Sequence, residues 1–186
     1  ILSRLVGSEM CIRDRNHGGT GDAITIINGA TDIWIDHCQF EDWYDGTVDI
    51  TKESDYVTIS WCKFRAHDKT ILIGASDNDT QDAGKLHVTI HHCFFDDTHQ
   101  RHPRSRFGEI HLLNNYYKDL DNYAIASVAD AETYIENCYF DNVPTLTHIT
   151  YGTSYAGFIE HSGNVIVGGG TLHNTGGVFT PSNRYN

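Results

Sequence analysis

His91-His92-Cys93-Phe94-Phe95 is one copy of a five-residue pattern that recurs along the chain, with a small or amide-bearing third residue and a large apolar fifth residue. The other copies are Asp36-His37-Cys38-Gln39-Phe40, Ser60-Trp61-Cys62-Lys63-Phe64, Leu113-Asn114-Asn115-Tyr116-Tyr117, Glu136-Asn137-Cys138-Tyr139-Phe140 and the weaker Ser162-Gly163-Asn164-Val165-Ile166. The third positions fall at residues 38, 62, 93, 115, 138 and 164. A repeat of this length is typical of solenoids, in which each unit buries its apolar face only by stacking on its neighbours.

A period of about 22–24 residues suits one coil of a parallel β-helix and does not suit most helical repeats. Short β-branched runs such as Val57-Thr58-Ile59 and Val88-Thr89-Ile90 support strands. We therefore predict an all-β fold, a right-handed single-stranded parallel β-helix with about 22–24 residues per coil. In this fold the third position forms an inward ladder and the fifth a stacked core column. The longest interval holds a polar segment, 74–84, which we predict to be a projecting loop.

Four of the five cysteines, Cys38, Cys62, Cys93 and Cys138, occupy the third position of the pattern. Their spacing is not that of a C-x-x-C zinc site. We interpret them as small buried core residues. Stacked neighbours could also meet disulfide geometry, and the sequence does not decide between these states.

The beginning of the chain is set apart from the repeat. Residues 5–15 resemble a translated sequencing-adapter string, so we predict that residues 1–15 are a non-native, artefactual segment and that residues 16–186 form a partial parallel β-helix domain. The alternative is an ordinary first strand. No run of 18 or more apolar residues is present, so no transmembrane helix is predicted. No signal peptide is visible.

The formal net charge of -12 argues against nucleic acid as a partner, because the chain lacks an overall basic footprint. The same charge does not exclude an acidic polymer. Salt screens charges beyond roughly 8–10 Å, so a local basic cluster can act independently of distant acids.

Counting seven or eight residues on from three successive third positions reaches Asp45, Lys69 and Arg101, which we predict to lie above one another on adjacent coils. Asp22 and Asp49 fall near the same column. Three aspartates that converge offer the hard oxygen ligands that Ca²⁺ prefers, with water or substrate completing the shell.

The segment 101–106 contains three arginines, Arg101, Arg104 and Arg106. Like charges at this density repel one another unless an anion is bound there. A cation site beside a basic patch suits a substrate with repeated carboxylates. The alternative for Asp45 and Lys69 is a surface salt bridge, worth about 0–1 kcal/mol.

At these residues the chain resembles the pectate lyases of polysaccharide lyase family one. The matching motifs are Ile33-Trp34-Ile35-Asp36-His37, Asp45-Gly46-Thr47-Val48-Asp49-Ile50-Thr51, His67-Asp68-Lys69-Thr70, Arg101-His102-Pro103-Arg104-Ser105-Arg106-Phe107-Gly108 and His111-Leu112-Leu113-Asn114-Asn115-Tyr116-Tyr117. Their order and spacing agree from about residue 16 onward, which makes the resemblance specific.

The resemblance implies a role for each matching residue. Arg101 is the expected catalytic base that removes the C5 proton. Lys69 and Arg106 are expected to bind the substrate carboxylate, and we place Arg104 with them. The metal ligands implied are Asp22, Asp45 and Asp49. Thr20 stands where some members have a further acidic ligand.

The function implied is a calcium-dependent pectate lyase, which cleaves (1→4)-α-D-galacturonan by β-elimination to 4,5-unsaturated oligogalacturonides. The expected partner is an acidic polysaccharide, polygalacturonate or pectate, with no nucleic acid and no membrane. We expect a secreted, extracellular monomer with Ca²⁺ as cofactor. Arginine is ordinarily protonated near neutral pH, so an arginine base implies an alkaline optimum.

Three alternatives remain open at this point. A pectin lyase would act on methylated substrate, for which three aspartates are not needed. A β-helix polygalacturonase-type hydrolase would need acids that activate water and protonate the leaving group. A non-catalytic pectin-binding solenoid would explain the repeat and would leave the ionic residues without a task.

Overall fold

A computed structural model describes residues 3–12 and 21–181, the first of these ranges by its backbone alone. In these residues the regular structure is almost entirely β-strand, with one short 3-10 turn at Thr80–Asp82. The strands are β1 (Ser3–Ile12), β2 (Ile24–Ile26), β3 (Thr31–Glu41), β4 (Gly46–Ile50), β5 (Asp55–Ser60), β6 (Lys63–Arg65), β7 (Lys69–Ile73), β8 (Val88–His91), β9 (Phe94–Asp96), β10 (Arg104–Arg106), β11 (Glu109–Leu113), β12 (Tyr116–Lys118), β13 (Tyr123–Val128), β14 (Glu132–Glu136), β15 (Tyr139–Asp141), β16 (Thr145–His148), β17 (Phe158–Ser162) and β18 (Val165–Val167).

The strands form two parallel sheets. The six-stranded sheet has the order β16-β13-β10-β7-β4-β2, and the larger sheet has the order β17-β14-β11-β8-β5-β3-β6-β9-β12-β15-β18, with β1 paired to β3. Because each coil contributes one strand to every face, β5, β6 and β7 make one coil and β8, β9 and β10 make the next. The result is a parallel β-solenoid of about six turns, which confirms the predicted fold.

The fifth position of the repeat forms the predicted core column. Phe40, Phe64, Phe95, Tyr117 and Phe140 stack with ring centroids 4.9, 4.9, 5.0 and 4.7 Å apart. These rings are almost completely buried. A parallel stack of this kind is worth roughly 0.5–1.5 kcal/mol per pair beyond the burial of its surface, so it fixes the registration of each coil on the next.

The third position forms the predicted inward ladder. Asn115 shows why amides are used there: its Oδ1 accepts from the Cys93 N–H at 2.9 Å and its Nδ2 donates to the Ile90 carbonyl at 2.8 Å. The side chain thereby satisfies backbone groups that the turn leaves unpaired inside the core. The cysteines of this ladder are buried free thiols, as the interpretation of small core residues predicts.

The segment between β7 and β8 is the polar loop that the longest interval predicts. Its Asp82 is buried and accepts from the Glu53 N–H at 2.7 Å, which fastens the loop to the coil beneath. Within residues 3–12 and 21–181, no helix has both the length and the apolar character required to cross a membrane.

Strand β1 pairs in parallel with β3, from Ser3 opposite Ile33 to Ile12 opposite Phe40. This pairing does not bear on the origin of the segment, so the assignment of residues 1–15 to a non-native piece stays a prediction. Residues 13–15 and Thr20 lie outside the described residues.

Candidate active site

The predicted site residues gather on the outer side of the six-stranded sheet and on the turns that lead into it. Asp49 of β4 and Arg104 of β10 both pair with Leu72 of β7, so an acid and a base stand on one line two coils apart. The predicted column of Asp45, Lys69 and Arg101 is out of register by one residue. Lys69 pairs with Gly46, and not Asp45, on the preceding coil, and with Gln100, and not Arg101, on the next coil. Turns of unequal length precede these strands, and counting from the ladder does not capture that difference.

The acidic half of the site is built around Gly46. Its N–H donates to Asp22 Oδ1 at 2.9 Å. A Cβ at this glycine would lie 2.6 Å from Asp22 Oδ1 and 3.1 Å from Asp49 Oδ1, so two carboxylates converge over the bare backbone. Burial and the adjacent charge of Asp22 raise the pKa of Asp49 to about 7. Two carboxylates held this close fit a bound cation, which would remove their mutual repulsion.

The third predicted ligand, Asp45, has a different partner. Lys69 Nζ donates to Asp45 Oδ1 at 2.7 Å, and this hydrogen bond lowers the pKa of Asp45. Among the described residues, no set of three His, Cys, Asp or Glu side chains closes around a single point. Asp22 and Asp49 therefore form a ready pair, and ligation by Asp45 stays a prediction that requires its carboxylate to leave Lys69.

His67 holds the backbone of this turn. Its ring accepts from the Trp43 N–H at Nδ1 over 3.3 Å and donates from Nε2 to the Asp45 carbonyl over 2.9 Å, which assigns the tautomer. Burial lowers the pKa of His67, so the ring is neutral, as this pattern requires. The His67 side chain thus fixes the backbone position from which the Asp45 side chain extends.

Arg101 stands between the acidic and basic halves. Its φ is +67°, and its Nε is buried with no hydrogen-bond partner among the residues that the structure describes. Its positive charge acts on both Asp45 and Asp49, whose pKa values it helps to lower. A bound anion would supply the partner that Nε lacks.

Arg106 is the most enclosed of the basic side chains. Its Nε donates to Asp77 Oδ1 at 2.6 Å and its Nη1 donates to the Gly74 carbonyl at 2.9 Å. Burial acts to raise the pKa of Asp77, but the hydrogen bonds from Arg106 and Ser154 outweigh it, and the pKa is lowered. The loop between β7 and β8 therefore orients Arg106.

Arg104 is held by residues from two coils further on. Its Nη2 donates to Ser154 Oγ at 3.1 Å, and its guanidinium lies 5.2 Å from the centre of the Tyr151 ring. Ser154 Oγ in turn donates to Asp77 Oδ1 at 2.8 Å, which joins Arg104 and Arg106 in one network. Burial lowers the pKa of Arg104.

The structure therefore brings together Asp22 with Asp49, Lys69 with Asp45, and Arg104 with Arg106, with Arg101 between these groups. Sequence reasoning missed Asp77 and Ser154. Asp77 lies in a polar loop that carried no sign of its partner, and Ser154 is 77 residues from it along the chain. His67 lay inside a quoted motif, but nothing in the sequence pointed to its two backbone contacts.

The two histidines that flank Arg101 differ in their surroundings. His102 is fully buried, packs edge-on against Phe95, and donates to main-chain carbonyls of the next coil. Burial lowers its pKa to about 3, so it is a neutral structural residue. His99 is exposed and pairs with Asp121. His99 lines a shallow pocket together with His67 and Asp121.

Fold and site together define a parallel β-solenoid with a cluster of charged side chains on one sheet. The Pectate_lyase_4 family model, described as pectate lyase, matches residues 6–166. The chain belongs to the pectate lyase family.

Individual relatives agree with this family. A pectate lyase of Bacillus subtilis is 34% identical over 177 residues, covering 82% of this chain and 40% of the relative. A pectate trisaccharide-lyase of Thermotoga maritima is 51% identical over 98 residues, covering 52% of this chain and 26% of the relative. The crystal structure of a pectate lyase from Bacillus sp. N165 in complex with trigalacturonate matches with a TM-score of 0.81 and 33% identity, covering 89% of this chain and 57% of that one. The chain thus spans well under two thirds of these relatives.

Proposed function

We propose that this chain carries the catalytic core of a calcium-dependent pectate lyase that cleaves (1→4)-α-D-galacturonan by β-elimination to 4,5-unsaturated oligogalacturonides. The observation that carries the proposal is Arg101, whose Nε has no hydrogen-bond partner among the described residues and whose charge acts on both Asp45 and Asp49 and on Arg104. The relative described in complex with trigalacturonate supports an acidic polysaccharide as the substrate.

In the proposed reaction Arg101 is the base that accepts a proton from the substrate. In its deprotonated form the guanidine takes the proton from C5 of a galacturonate, the C5–H electron pair forms the C4=C5 double bond, and the C4–O bond breaks. The leaving oxygen takes a proton from solvent, and no water is consumed. Because arginine is ordinarily protonated near neutral pH, the rate is expected to rise with pH.

The other basic side chains bind the carboxylate that gains negative charge as the C5 proton leaves. Lys69 reaches across one coil, and Arg106 is fixed by Asp77 before substrate arrives. Arg104, fixed by Ser154, is placed to hold a neighbouring sugar carboxylate. Cationic groups fixed in advance in this way stabilise a developing anion more than mobile ones do.

Calcium is expected on the pair formed by Asp22 and Asp49, with Asp45 as a third ligand and substrate carboxylates completing the shell. When bound, the ion supplies positive charge that neutralises the substrate carboxylate and makes the C5 proton more acidic. In its absence these aspartates repel both each other and the substrate.

A hydrolase fits the geometry less well than a lyase. Hydrolysis needs two carboxyl groups that flank the scissile bond, one of them poised to donate a proton. Here Asp22 and Asp49 meet over one glycine, and Asp45 is held by Lys69, so none faces another acid across a cleft. We also propose that the protein acts as a secreted monomer, which follows from the family and from a polymeric extracellular substrate.

The deciding experiment mixes the protein with polygalacturonate at alkaline pH and follows the ultraviolet absorbance of the unsaturated product, first with calcium and then with a chelator. We expect absorbance that rises with calcium and stops with the chelator. A rise in reducing ends without absorbance would identify a hydrolase, and binding without either would identify a non-catalytic solenoid. Methylated pectin as a better substrate would point to a pectin lyase.

A further inference from the structure

Five successive coils each place one side chain outward at the turn between the two parts of the large sheet. These residues, here called the turn ladder, are His37, Trp61, His92, Asn114 and Asn137. All five have a φ between +52° and +54°. Backbone hydrogen bonds join each of these turns to the next coil, with N–H groups donating to carbonyls from Trp61 to His91, from His92 to Leu113 and from Asn114 to Glu136.

Trp61 is the unexpected member of the turn ladder. A left-handed backbone is adopted readily by glycine and asparagine and is a strained position for a bulky residue. The equivalent positions hold histidine or asparagine, whereas Trp61 is a larger aromatic residue that leaves 55% of its surface exposed. The indole is therefore open to contact by an external partner.

The exposed rings form a continuous platform. The Trp61 indole stacks on His92 with ring centroids 4.5 Å apart and on His37 with centroids 6.0 Å apart. Beside it runs an outward column of Lys63, Phe94, Tyr116 and Tyr139. In this column the Phe94 and Tyr116 rings stack at 4.9 Å, and Lys63 Nζ lies 4.9 Å from the centre of Phe94.

A shallow cleft of about 440 Å³ lies between the ladder and this column. It is lined by Asn114, Asn115, Tyr116, Asn137 and Tyr139. Amide groups beside exposed tyrosine rings suit a pyranose, whose apolar ring face packs on an aromatic side chain while its hydroxyls bind the amides.

The charge of this surface differs from that of the rest of the chain. The protein has 25 Asp and Glu residues and a formal net charge of -12, yet neither the turn ladder nor the adjoining column contains a carboxylate. Two carboxylates at its border already have partners in the column: Lys63 Nζ lies 3.1 Å from Asp96 Oδ2, and the Tyr116 hydroxyl donates to Asp141 Oδ2 at 3.1 Å. The surface therefore offers a ligand mainly aromatic rings and amide groups.

We infer that the turn ladder and its adjoining column form a second, non-catalytic binding surface for a galacturonan chain. The turn ladder precedes β6, β9, β12 and β15, and the adjoining column is formed by the first residue of each of these strands, whereas the candidate active site follows the strands and continues onto β4, β7 and β10. The choice of galacturonan as the ligand rests on the proposed function. The arrangement of aromatic and amide side chains on this surface is observed independently of that proposal.

The test is Trp61→Asn, which installs the residue found at two equivalent positions, Asn114 and Asn137. Tyr56→Asn is the matched control, because Tyr56 is also 61% exposed, has a φ of +51°, and stacks on a histidine, His87, at 5.3 Å. Tyr56 lies at the start of β5, outside the turn ladder. Tyr139→Ser tests the same surface independently of Trp61.

Retention on insoluble polygalacturonate is measured with a chelator present, so that no turnover occurs. We expect Trp61→Asn and Tyr139→Ser to weaken retention by about two- to tenfold, the loss of one aromatic contact, and Tyr56→Asn to leave it unchanged. Equal retention by all variants, or an equal loss in Tyr56→Asn, would overturn the inference.

Turnover of trigalacturonate by the same variants separates this inference from the proposed function. Unchanged turnover in Trp61→Asn with weakened retention supports a separate surface. A wild-type protein that never cleaves trigalacturonate would contradict the proposed function and leave the retention result intact. Turnover that falls in step with retention would place Trp61 in the catalytic cleft and overturn the inference.

Discussion

Lys69 Nζ lies 2.7 Å from Asp45 Oδ1, so the ammonium group that is expected to hold substrate also holds an expected calcium ligand. Both side chains are more than a third exposed. A pair of this kind contributes about 0–1 kcal/mol to stability. The pair matters instead because binding competes with it. Calcium must displace Lys69 from Asp45, and a substrate carboxylate must displace Asp45 from Lys69.

Lys69→Met tests this competition. We expect calcium to bind severalfold more tightly, because Asp45 is freed and the positive charge that repels the ion is removed. We expect turnover to fall by at least about tenfold, because the variant lacks a cation that stabilises the negative charge on the substrate carboxylate. Calorimetric titration with calcium and the absorbance assay measure the two effects. Lys118→Met is the control, because Lys118 forms a similarly exposed pair with Asp119 at the end of β12, away from the candidate active site. Weaker calcium binding in Lys69→Met would contradict the competition.

Asp49→Asn should remove a pH dependence of stability. Its pKa in the folded protein is about 7, above the ordinary value of 3.8, so the folded state binds the proton more tightly. Without calcium, wild-type stability is therefore expected to decline from about pH 4 to about pH 7 through this group.

The difference in melting temperature between wild type and Asp49→Asn, followed across pH 4–8 in chelator, measures this contribution. After allowance for solvent screening we expect on the order of 1 kcal/mol in favour of the variant above pH 7. Calcium should restore the wild type and not the variant, because metal binding displaces the proton. Parallel curves would show that Asp49 and Asp22 do not share a proton.

Arg101→Lys should separate binding from chemistry. The substitution keeps a positive charge but loses the planar guanidinium. We expect turnover to fall by roughly 10²–10⁴-fold, the usual contribution of a catalytic acid or base, while the affinity for trigalacturonate changes little. Arg65→Lys, at an exposed pair with Asp96, is the control. Turnover retained within tenfold would assign proton removal to another group.

Asp77→Asn should act through Arg106. The carboxylate accepts from Arg106 Nε at 2.6 Å, and without it the guanidinium loses its charged partner. We expect KM for short galacturonates to rise about tenfold, or roughly 1.4 kcal/mol, with a smaller change in kcat. Because the pKa of Asp77 is lowered, its stabilisation is present above the unfolded pKa and is lost on acidification below about pH 4. Asp79→Asn, in the same loop, should leave KM unchanged.

Gly46→Ala should disturb the carboxylate pair without unfolding the coil. The added Cβ would lie 2.6 Å from Asp22 Oδ1, which is the end of a side chain and can move. We expect calcium affinity to fall about tenfold, equivalent to about 1.4 kcal/mol, with little change in melting temperature. Gly21→Ala is the matched control, because nothing lies within 4 Å of its Cβ. Unchanged calcium affinity in Gly46→Ala would remove Asp22 from the ligand set.

The fold was predictable because its driving contacts repeat. A small or amide-bearing residue such as Cys93 and a large apolar residue such as Phe95 recur at fixed places in the repeat, and a pattern that repeats can be recognised before any contact is known. The displaced site column shows where counting fails. Lys69 lies opposite Gln100 and not Arg101, because the lengths of the turns between strands vary and sequence spacing does not report them.

Partners of the site residues were less predictable than the residues themselves. Arg106 was expected from its arginine-rich segment, but its binding to Asp77 depends on how a loop folds back over the sheet. Ser154 is more distant still, and a single serine carries no signal in one sequence. Contacts of this kind arise from tertiary packing, which local patterns do not encode.

The four buried thiols of the inward ladder can report whether the coils around them are folded. Burial raises the pKa of Cys38 to about 11 and that of Cys138 to about 12, and all four sulfurs are enclosed by the coils. A thiol-specific dye is therefore not expected to label these four cysteines while the coils remain stacked, since only an accessible thiolate reacts. Labelling of single-cysteine variants would show which coil opens first, and thereby the direction in which the solenoid unzips.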